Sequence, residues 1–212
     1  MKSPLAEARR EALIEAMLPD ALFDGWTRAG LRGAARRLAL PVGEAQALFP
    51  GGPADLVAGF SRWADRRMLD RLEILPLDPL RVSERIALAI GARLDIVAPW
   101  REAVRRALAV LALPQHAPLA VRLTYETIDG IWYAAGDNAT DFSFYTKRLI
   151  LAAVYSATVL YWLDDHSEGS ADTRAFLDRR LADAARIGRA RRDFATLVER
   201  LPNPFRLLRP LR

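Results

Sequence analysis

The residues with the greatest potential for chemistry are two histidines, because the 212-residue chain has no cysteine and therefore no thiol nucleophile or thiolate ligand. His116 and His166 lie in neither a G-x-S-x-G nor an H-E-x-x-H motif. The triplet Asp164–His166 offers metal-binding groups, but an acidic triplet directly after an apolar run is typical of a loop in water. We interpret it as a solvated loop that ends a helix.

Carboxylate pairs give no stronger indication of chemistry. Glu126 and Asp129 lie three residues apart on a predicted helix, but a di-iron helical bundle needs Glu-x-x-His on two helices, and the sequence lacks that motif. It also lacks a phosphate-binding loop and a dinucleotide fingerprint. We therefore predict that the protein is not an enzyme and has no catalytic residue, no metal site and no cofactor.

Helical periodicity along the chain predicts an all-α fold. Local signals at helix ends are N-caps at Thr27 and Ser83, a stop at Pro19 and a C-terminal cap at Gly136. A proline-rich break at 76–80 separates short N-terminal helices from longer, more apolar ones. We predict three parts: an N-terminal helix-turn-helix-like bundle at 1–75, a larger helical part at 80–192, and a basic amphipathic tail at 193–212.

The helix-turn-helix-like pattern raises the question of DNA binding. The would-be recognition helix at 44–49 has no arginine or lysine, whereas the preceding helix carries arginines at 28, 32, 36 and 37. Because cations that meet phosphates supply much of the affinity for DNA, this pattern argues against a nucleic-acid partner. The net charge is +5, and residues 173–212 hold eleven arginines against four acidic residues, so an anionic partner is expected at the C-terminal end.

Residues 149–163 form a nearly uninterrupted apolar run between Lys147-Arg148 and Asp164-Asp165. The run is too short to cross a bilayer, which takes about 20 residues. The run and the predicted helix at 119–135 are both rich in aromatic and small residues. This pattern fits either close packing inside a helical core or a groove wide enough for an aliphatic ligand.

The C-terminal segment alternates large apolar residues with arginine. Such a segment suits the surface of an anionic bilayer, but it could also pack on its own domain or on a dimer mate. Pro202 and Pro204 interrupt any single helix through it. The residues expected at a membrane surface are Phe194, Leu197, Val198, Leu201, Phe205, Arg206, Leu208 and Arg209.

The segment IWYAAGDNATDFSFYTKRLILAAVYSATVLYWLDD at 131–165 closely resembles the signature of a family of ubiquinone-biosynthesis accessory proteins, the ninth Coq protein family, in its alphaproteobacterial form. The stretches GWT…LFPGGPADLV, APWREAVRRALAVLALPQHAPLA and TRAFLDRRLADA extend the resemblance to about residues 8–190. The resemblance implies a fold like that of TetR regulators with the DNA-binding function lost. It also implies a homodimer that is cytoplasmic and peripherally associated with the bacterial inner membrane.

The same resemblance implies that the protein binds an isoprenoid quinone lipid and presents it to the di-iron demethoxyubiquinone hydroxylase. The implied hydroxylase-binding residues are Ile131, Phe144, Tyr145 and Arg148, although the family's usual Trp-Tyr pair is Phe144-Tyr145 here. The expected lipid pocket is lined by Tyr125, Ile128, Trp132, Leu149, Ala152, Ala153, Ser156 and Leu160.

Two other functions remain open. One is a TetR-type transcriptional regulator that senses a lipid in the same pocket and binds DNA. The other is a membrane-surface adaptor without a pocket ligand.

Overall fold

The computed structural model describes the backbone of residues 4–136 and 143–200 and the side chains of residues 4–136 and 145–186. These residues form helices joined by turns, with no strand among them, which confirms the predicted all-α class. The α-helices are α1 (Pro4–Ala21), α2 (Arg28–Arg37), α3 (Val42–Leu48), α4 (Pro53–Glu73), α5 (Val82–Val97), α6 (Arg101–Leu111), α7 (Ala117–Ala134), α8 (Ser143–Leu163) and α9 (Ala171–Arg200).

Two of the four predicted helix-end signals are confirmed. The Thr27 hydroxyl accepts a hydrogen bond from the backbone N–H of Gly30 at 3.1 Å, so it satisfies one of the free donors at the start of α2. Gly136 follows the end of α7 with a φ of +77°, a conformation that favours glycine at the C-terminal end of a helix.

The predicted helix stop at Pro19 was wrong, because α1 continues through Pro19 to Ala21. Proline removes one helical hydrogen bond. However, Met17, Leu18 and Ala21 are buried in the core, and this packing holds the last turn of the helix.

The predicted N-cap at Ser83 was also wrong. The N-cap is Arg81, two residues earlier, so helix α5 begins at Val82, and the backbone N–H of Arg81 donates to Glu84 Oε2 at 2.8 Å. A glutamate three residues into the helix therefore replaces the serine hydroxyl as the group that satisfies the helix start.

Helix α4 runs through the middle of the molecule and packs against α1, α5, α6 and α7. One hydrophobic core extends from Leu13 on α1 through Met68 on α4 to Ile90 on α5, Ile128 on α7 and Trp162 on α8. The turn between α4 and α5 therefore does not divide the core. The predicted boundary at 192–193 falls inside α9. No helix in the described part of the chain is both long and apolar enough to span a membrane.

Candidate functional site

A cavity of about 390 Å³ lies between α4, α5, α6, α7 and α8. Its volume is near the lower end of the range of roughly 300–1,000 Å³ for small-molecule sites. Most of its wall is apolar. The lining residues are Val57, Phe60, Ser61, Arg93, Val104, Ala107, Leu108, Leu111, Ala112, Ala120, Leu123, Thr124, Thr127, Tyr155, Ser156, Val159 and Leu160.

The cavity has a buried end and an exposed mouth. Phe60, Arg93 and Tyr155 are buried, whereas Ala112 and Leu160 are exposed to solvent. A ligand that enters past Leu160 therefore approaches Phe60, Arg93 and Tyr155, which are shielded from water.

Five polar side chains at the buried end form what we call the polar cluster. Arg93 Nε donates to Asp65 Oδ1 at 2.7 Å, and Arg93 Nη2 lies 3.3 Å from Ser61 Oγ. The Thr127 hydroxyl donates to the same carboxylate, at 3.0 and 3.1 Å from its two oxygens. The guanidinium carbon of Arg93 lies 5.5 Å from the centre of the Tyr155 ring.

The charges of the polar cluster cancel. Burial lowers the pKa of Arg93, but Tyr155 and the Asp65 carboxylate raise it, and the resulting pKa lies above its ordinary value. Burial raises the pKa of the Tyr155 hydroxyl, and Arg93 offsets that effect only in part. The buried end of the cavity therefore presents one ion pair with no net charge and one neutral hydroxyl.

One face of α8 exposes apolar side chains to water. Tyr145 and Leu149 are each 73% exposed and Leu160 is 60% exposed, with the exposed Ala153 and Ser156 between them. Their spacing of three or four residues places all five on one side of the helix. We call this face the α8 stripe. Because Ser156 and Leu160 also line the cavity, the stripe leads into the cavity mouth.

The structure places the eight predicted pocket residues in three different environments. Ser156 and Leu160 line the cavity. The other six do not, because α4, α5 and α6 also form the wall, and α7 and α8 line it with other residues than those predicted. Ile128 and Trp132 are buried in the core, Ala152 packs at its margin, and Tyr125, Leu149 and Ala153 are exposed.

The predicted partner surface is only partly at the surface. Ile131 is 0% exposed, so its side chain packs in the core and cannot contact a partner in this conformation, which corrects that expectation. Tyr145 is exposed, and Arg148 makes an ion pair with Asp129 of α7 at 2.7 Å. The side chain of Phe144 lies outside the described residues, as do the side chains of all eight residues expected at a membrane surface.

Sequence reasoning missed the cavity wall contributed by α6 and the polar cluster. One signal for this wall was an apolar spacing of i, i+3, i+4 and i+7 on α6, which predicts a buried helix face. The residues at these positions are Val104, Ala107, Leu108 and Leu111. A second signal was Arg93, the one basic residue between Ile86 and Val97.

A larger groove of about 540 Å³ lies between α4, α5 and the start of α9, but its charged rim makes it a poor site for an apolar ligand. Arg174 pairs with Asp95 at 2.9 Å, and Arg71 lies 3.8 Å from the same carboxylate. These contacts already satisfy the charges that surround the groove.

The arrangement of the helices defines an all-helical protein of the TetR-like class. The chain is similar to the crystal structure of the TetR transcriptional regulator from Nitrosomonas europaea, with a TM-score of 0.67 and 27% identity, over 84% of this chain and 98% of that one.

The sequence is similar to one family within this class. Residues 117–188 match the COQ9 family. The chain is 32% identical over 193 residues to "Ubiquinone biosynthesis protein COQ9, mitochondrial" of Drosophila melanogaster, covering 88% of this chain and 58% of the relative. It is 29% identical over 202 residues to the protein of the same name in Homo sapiens, covering 92% of this chain and 63% of the relative. The chain is therefore similar to the COQ9 family, and it spans about three-fifths of the length of these relatives.

Proposed function

We propose that this protein is a non-catalytic accessory protein of ubiquinone biosynthesis. In this proposal it binds an isoprenoid quinone intermediate and presents it to the demethoxyubiquinone hydroxylase. The observation that carries the proposal is a largely apolar cavity whose mouth opens onto the exposed α8 stripe. Similarity to the COQ9 family supports the pathway, because the named relatives are ubiquinone biosynthesis proteins.

The cavity and the α8 stripe together offer apolar contact to a polyprenyl quinone, which is poorly soluble in water. Each CH₂ group that leaves an apolar environment for water costs about 0.8 kcal/mol, so a polyprenyl chain does not leave a bilayer unaided. A cavity of about 390 Å³ accommodates one end of such a molecule, and the exposed leucines of α8 offer apolar contact to the next part. The protein thereby lowers the cost of moving the quinone toward a partner.

The stripe also connects the cavity mouth with the expected hydroxylase-binding end of α8. Tyr145 and Leu160 are fifteen residues apart, which corresponds to about 22 Å along a helix. Lipid held at the mouth is therefore within the reach of an enzyme that docks around Tyr145.

The proposal includes a homodimer at the cytoplasmic face of the bacterial inner membrane. The excess of arginine in residues 173–212 supports attraction to anionic lipid headgroups. Flotation of the full chain with vesicles containing anionic phospholipid tests this location. We expect binding that weakens as salt increases; equal binding to neutral vesicles would contradict the electrostatic part of the proposal.

Mass spectrometry of organic extracts from the purified protein tests lipid binding. The variant Ser156→Phe places a bulky ring at the cavity mouth, and Ala153→Phe makes a similar small-to-large change on the same helix face, outside the cavity. We expect an isoprenoid or quinone lipid with the native chain and with Ala153→Phe, and little or none with Ser156→Phe. Lipid content that is equal in all three samples would refute the cavity as the binding site.

Ubiquinone measurement in cells tests presentation to the hydroxylase. We expect Tyr145→Ala to lower ubiquinone and to accumulate the demethoxy precursor, without loss of thermal stability, because the Tyr145 side chain is largely exposed. Phe23→Ala is a matched control, since Phe23 is also an exposed aromatic residue but lies in the turn after α1. Normal ubiquinone levels in the Tyr145 variant would contradict docking at this end of α8.

The likeness to a TetR transcriptional regulator favours one competing function, a lipid-sensing regulator that binds DNA. Helix α3, in the position of a recognition helix, has no arginine or lysine, and its Glu44 forms an ion pair with Arg9 of α1. We therefore expect no retention of duplex DNA at about 50 mM salt, where non-specific binding is strong. Retention that falls steeply as salt increases would favour the regulator.

A further inference from the structure

The buried end of the cavity carries more polar groups than a site for a hydrocarbon chain requires. Burying a charged or hydroxyl group is unfavourable unless it is paired, and a purely apolar ligand would leave any hydroxyl that lacks a protein partner unpaired. Arg93 and Tyr155 are each only 8% exposed, and both line the cavity. Their position indicates that one end of the ligand is polar.

Tyr155 has an unused hydrogen-bonding group at this position. None of the described residues forms a hydrogen bond with its hydroxyl, whereas Arg93, Asp65 and Thr127 are bonded to one another. The hydroxyl of a tyrosine is neutral at physiological pH because its ordinary pKa is about 10, and burial raises the pKa of Tyr155 further. A neutral tyrosine hydroxyl can donate a hydrogen bond to an acceptor oxygen.

The charge balance of the polar cluster restricts the ligand further. Arg93 is the one charged residue in the described cavity wall, and Asp65 already neutralises it. A carboxylate or phosphate would therefore bring an unpaired negative charge next to the Asp65 carboxylate, whose side chain is only 14% exposed, and this is unfavourable. An uncharged oxygen, such as a quinone carbonyl or a phenol, avoids that penalty.

We infer that the ligand binds with its oxygen-bearing ring at the polar cluster, where Tyr155 donates a hydrogen bond to an uncharged ring oxygen, and with its isoprenoid chain leaving through the mouth along the α8 stripe. The inference rests on the proposed function and adds the ligand's orientation and the residues that select its polar end. Delivery to the hydroxylase then requires the ring to leave the cluster. One neutral hydrogen bond is weak enough to permit that step, since it changes affinity by about two- to tenfold.

Equilibrium binding to the full chain tests the inference with two probes of similar length. One is a ubiquinone analogue with a ten-carbon isoprenoid chain, and the other is dodecanoic acid at pH 7.5. We expect the native chain to bind the quinone at least tenfold more tightly than the acid. We expect Tyr155→Phe to weaken quinone binding by about two- to tenfold, and Tyr161→Phe to leave it unchanged. Tyr161 lies on the same helix but stacks on Phe176 outside the cavity.

Each outcome of this experiment separates the inference from the proposed function. Quinone binding that is unaffected by Tyr155→Phe, or acid binding that equals quinone binding, would overturn the inferred orientation and leave lipid binding intact. No binding of either probe by the native chain would refute the proposed lipid binding and the inference together. The comparison of the two probes on the native chain decides the question even if the Tyr155 variant loses stability.

Discussion

Replacing Asp165 by asparagine should cause the largest loss of stability among conservative changes in the connection between α8 and α9. The Asp165 carboxylate is buried and accepts four hydrogen bonds. Its Oδ1 accepts from the backbone N–H of Ser167 at 2.8 Å and from the Ser167 hydroxyl at 2.6 Å. Its Oδ2 accepts from the backbone N–H of Thr173 at 2.9 Å and from the Thr173 hydroxyl at 2.5 Å. One residue therefore closes the loop and satisfies a free donor in the first turn of α9.

The expected cost follows from these contacts. Asparagine keeps the shape of the side chain, but its NH₂ group replaces one acceptor and faces two donors. Hydrogen bonds to a charged acceptor are worth about 1.5–3 kcal/mol, and an unsatisfied buried group costs about 1–3 kcal/mol. We therefore expect Asp165→Asn to lower the free energy of unfolding by about 2–4 kcal/mol at neutral pH.

The loss should depend on pH in a defined direction. Burial alone raises the pKa of Asp165, but the hydrogen bonds from Ser167 and Thr173 lower it more, so the pKa in the folded protein lies below its ordinary value. A lowered carboxylate pKa contributes stability that is fully present above the unfolded pKa of about 3.9 and is lost as the pH falls below it. The difference between native chain and variant should therefore shrink below about pH 4.

Urea unfolding at several pH values between 7 and 3 tests this reasoning, with Asp164→Asn as the matched control. Asp164 is an exposed neighbour whose contact is an ion pair with Arg105 at 3.2 Å. Its replacement should cost no more than about 1 kcal/mol. A loss in Asp165→Asn that is no larger than in the control, or that does not shrink on acidification, would refute the assigned role.

Two further predictions concern the core and the polar cluster. Gly59→Ala should destabilise the protein by about 1–3 kcal/mol, because a new Cβ would lie 3.0 Å from atoms of Ile14 and Phe49. Gly91→Ala should stabilise it by about 0.5–1 kcal/mol, because no neighbouring atom lies within 4 Å of the new Cβ inside α5; equal effects of the two changes in thermal unfolding would contradict the packing argument. Asp65→Leu should cost about 3–5 kcal/mol by leaving Arg93 buried without its partner. Adding Arg93→Leu should recover much of that loss. If the double variant instead loses as much unfolding free energy as the two single variants lose together, the two residues are not coupled.

The helices could be predicted from the sequence because their signals are local. Apolar periodicity, the Thr27 hydroxyl and Gly136 each act within a few residues. The two errors at helix ends arose where another contact outweighed the expected local signal. Packing of Ala21 in the core outweighed the missing N–H of Pro19, and the Glu84 side chain displaced Ser83 as the capping group.

The cavity could be predicted only in part, because its wall combines segments from five helices. Ser156 and Leu160 were accessible to sequence reasoning because they lie on the predicted apolar run. Phe60 and Ala107 were not, since their approach depends on how α4 and α6 cross the last helices. Arg93 was missed for a different reason: a basic residue on an apolar helix is ordinarily expected at the surface, and its burial depends on Asp65, which lies 28 positions earlier in the chain.

The apolar character of α8 on every side has a physical explanation in its neighbours. Helix α8 packs against α7 on one side and against α9 on another, and this accounts for buried residues such as Leu151 and Trp162. Neither neighbour covers the face that bears Leu149 and Leu160. Single exposed apolar residues are ordinary, but a row at helical spacing that ends in a cavity mouth is a continuous patch, and such patches mark contact with another molecule. The apolar run therefore has two sides with different roles: the buried side holds the helix in the core, and the exposed α8 stripe is the surface on which the proposed lipid contact rests.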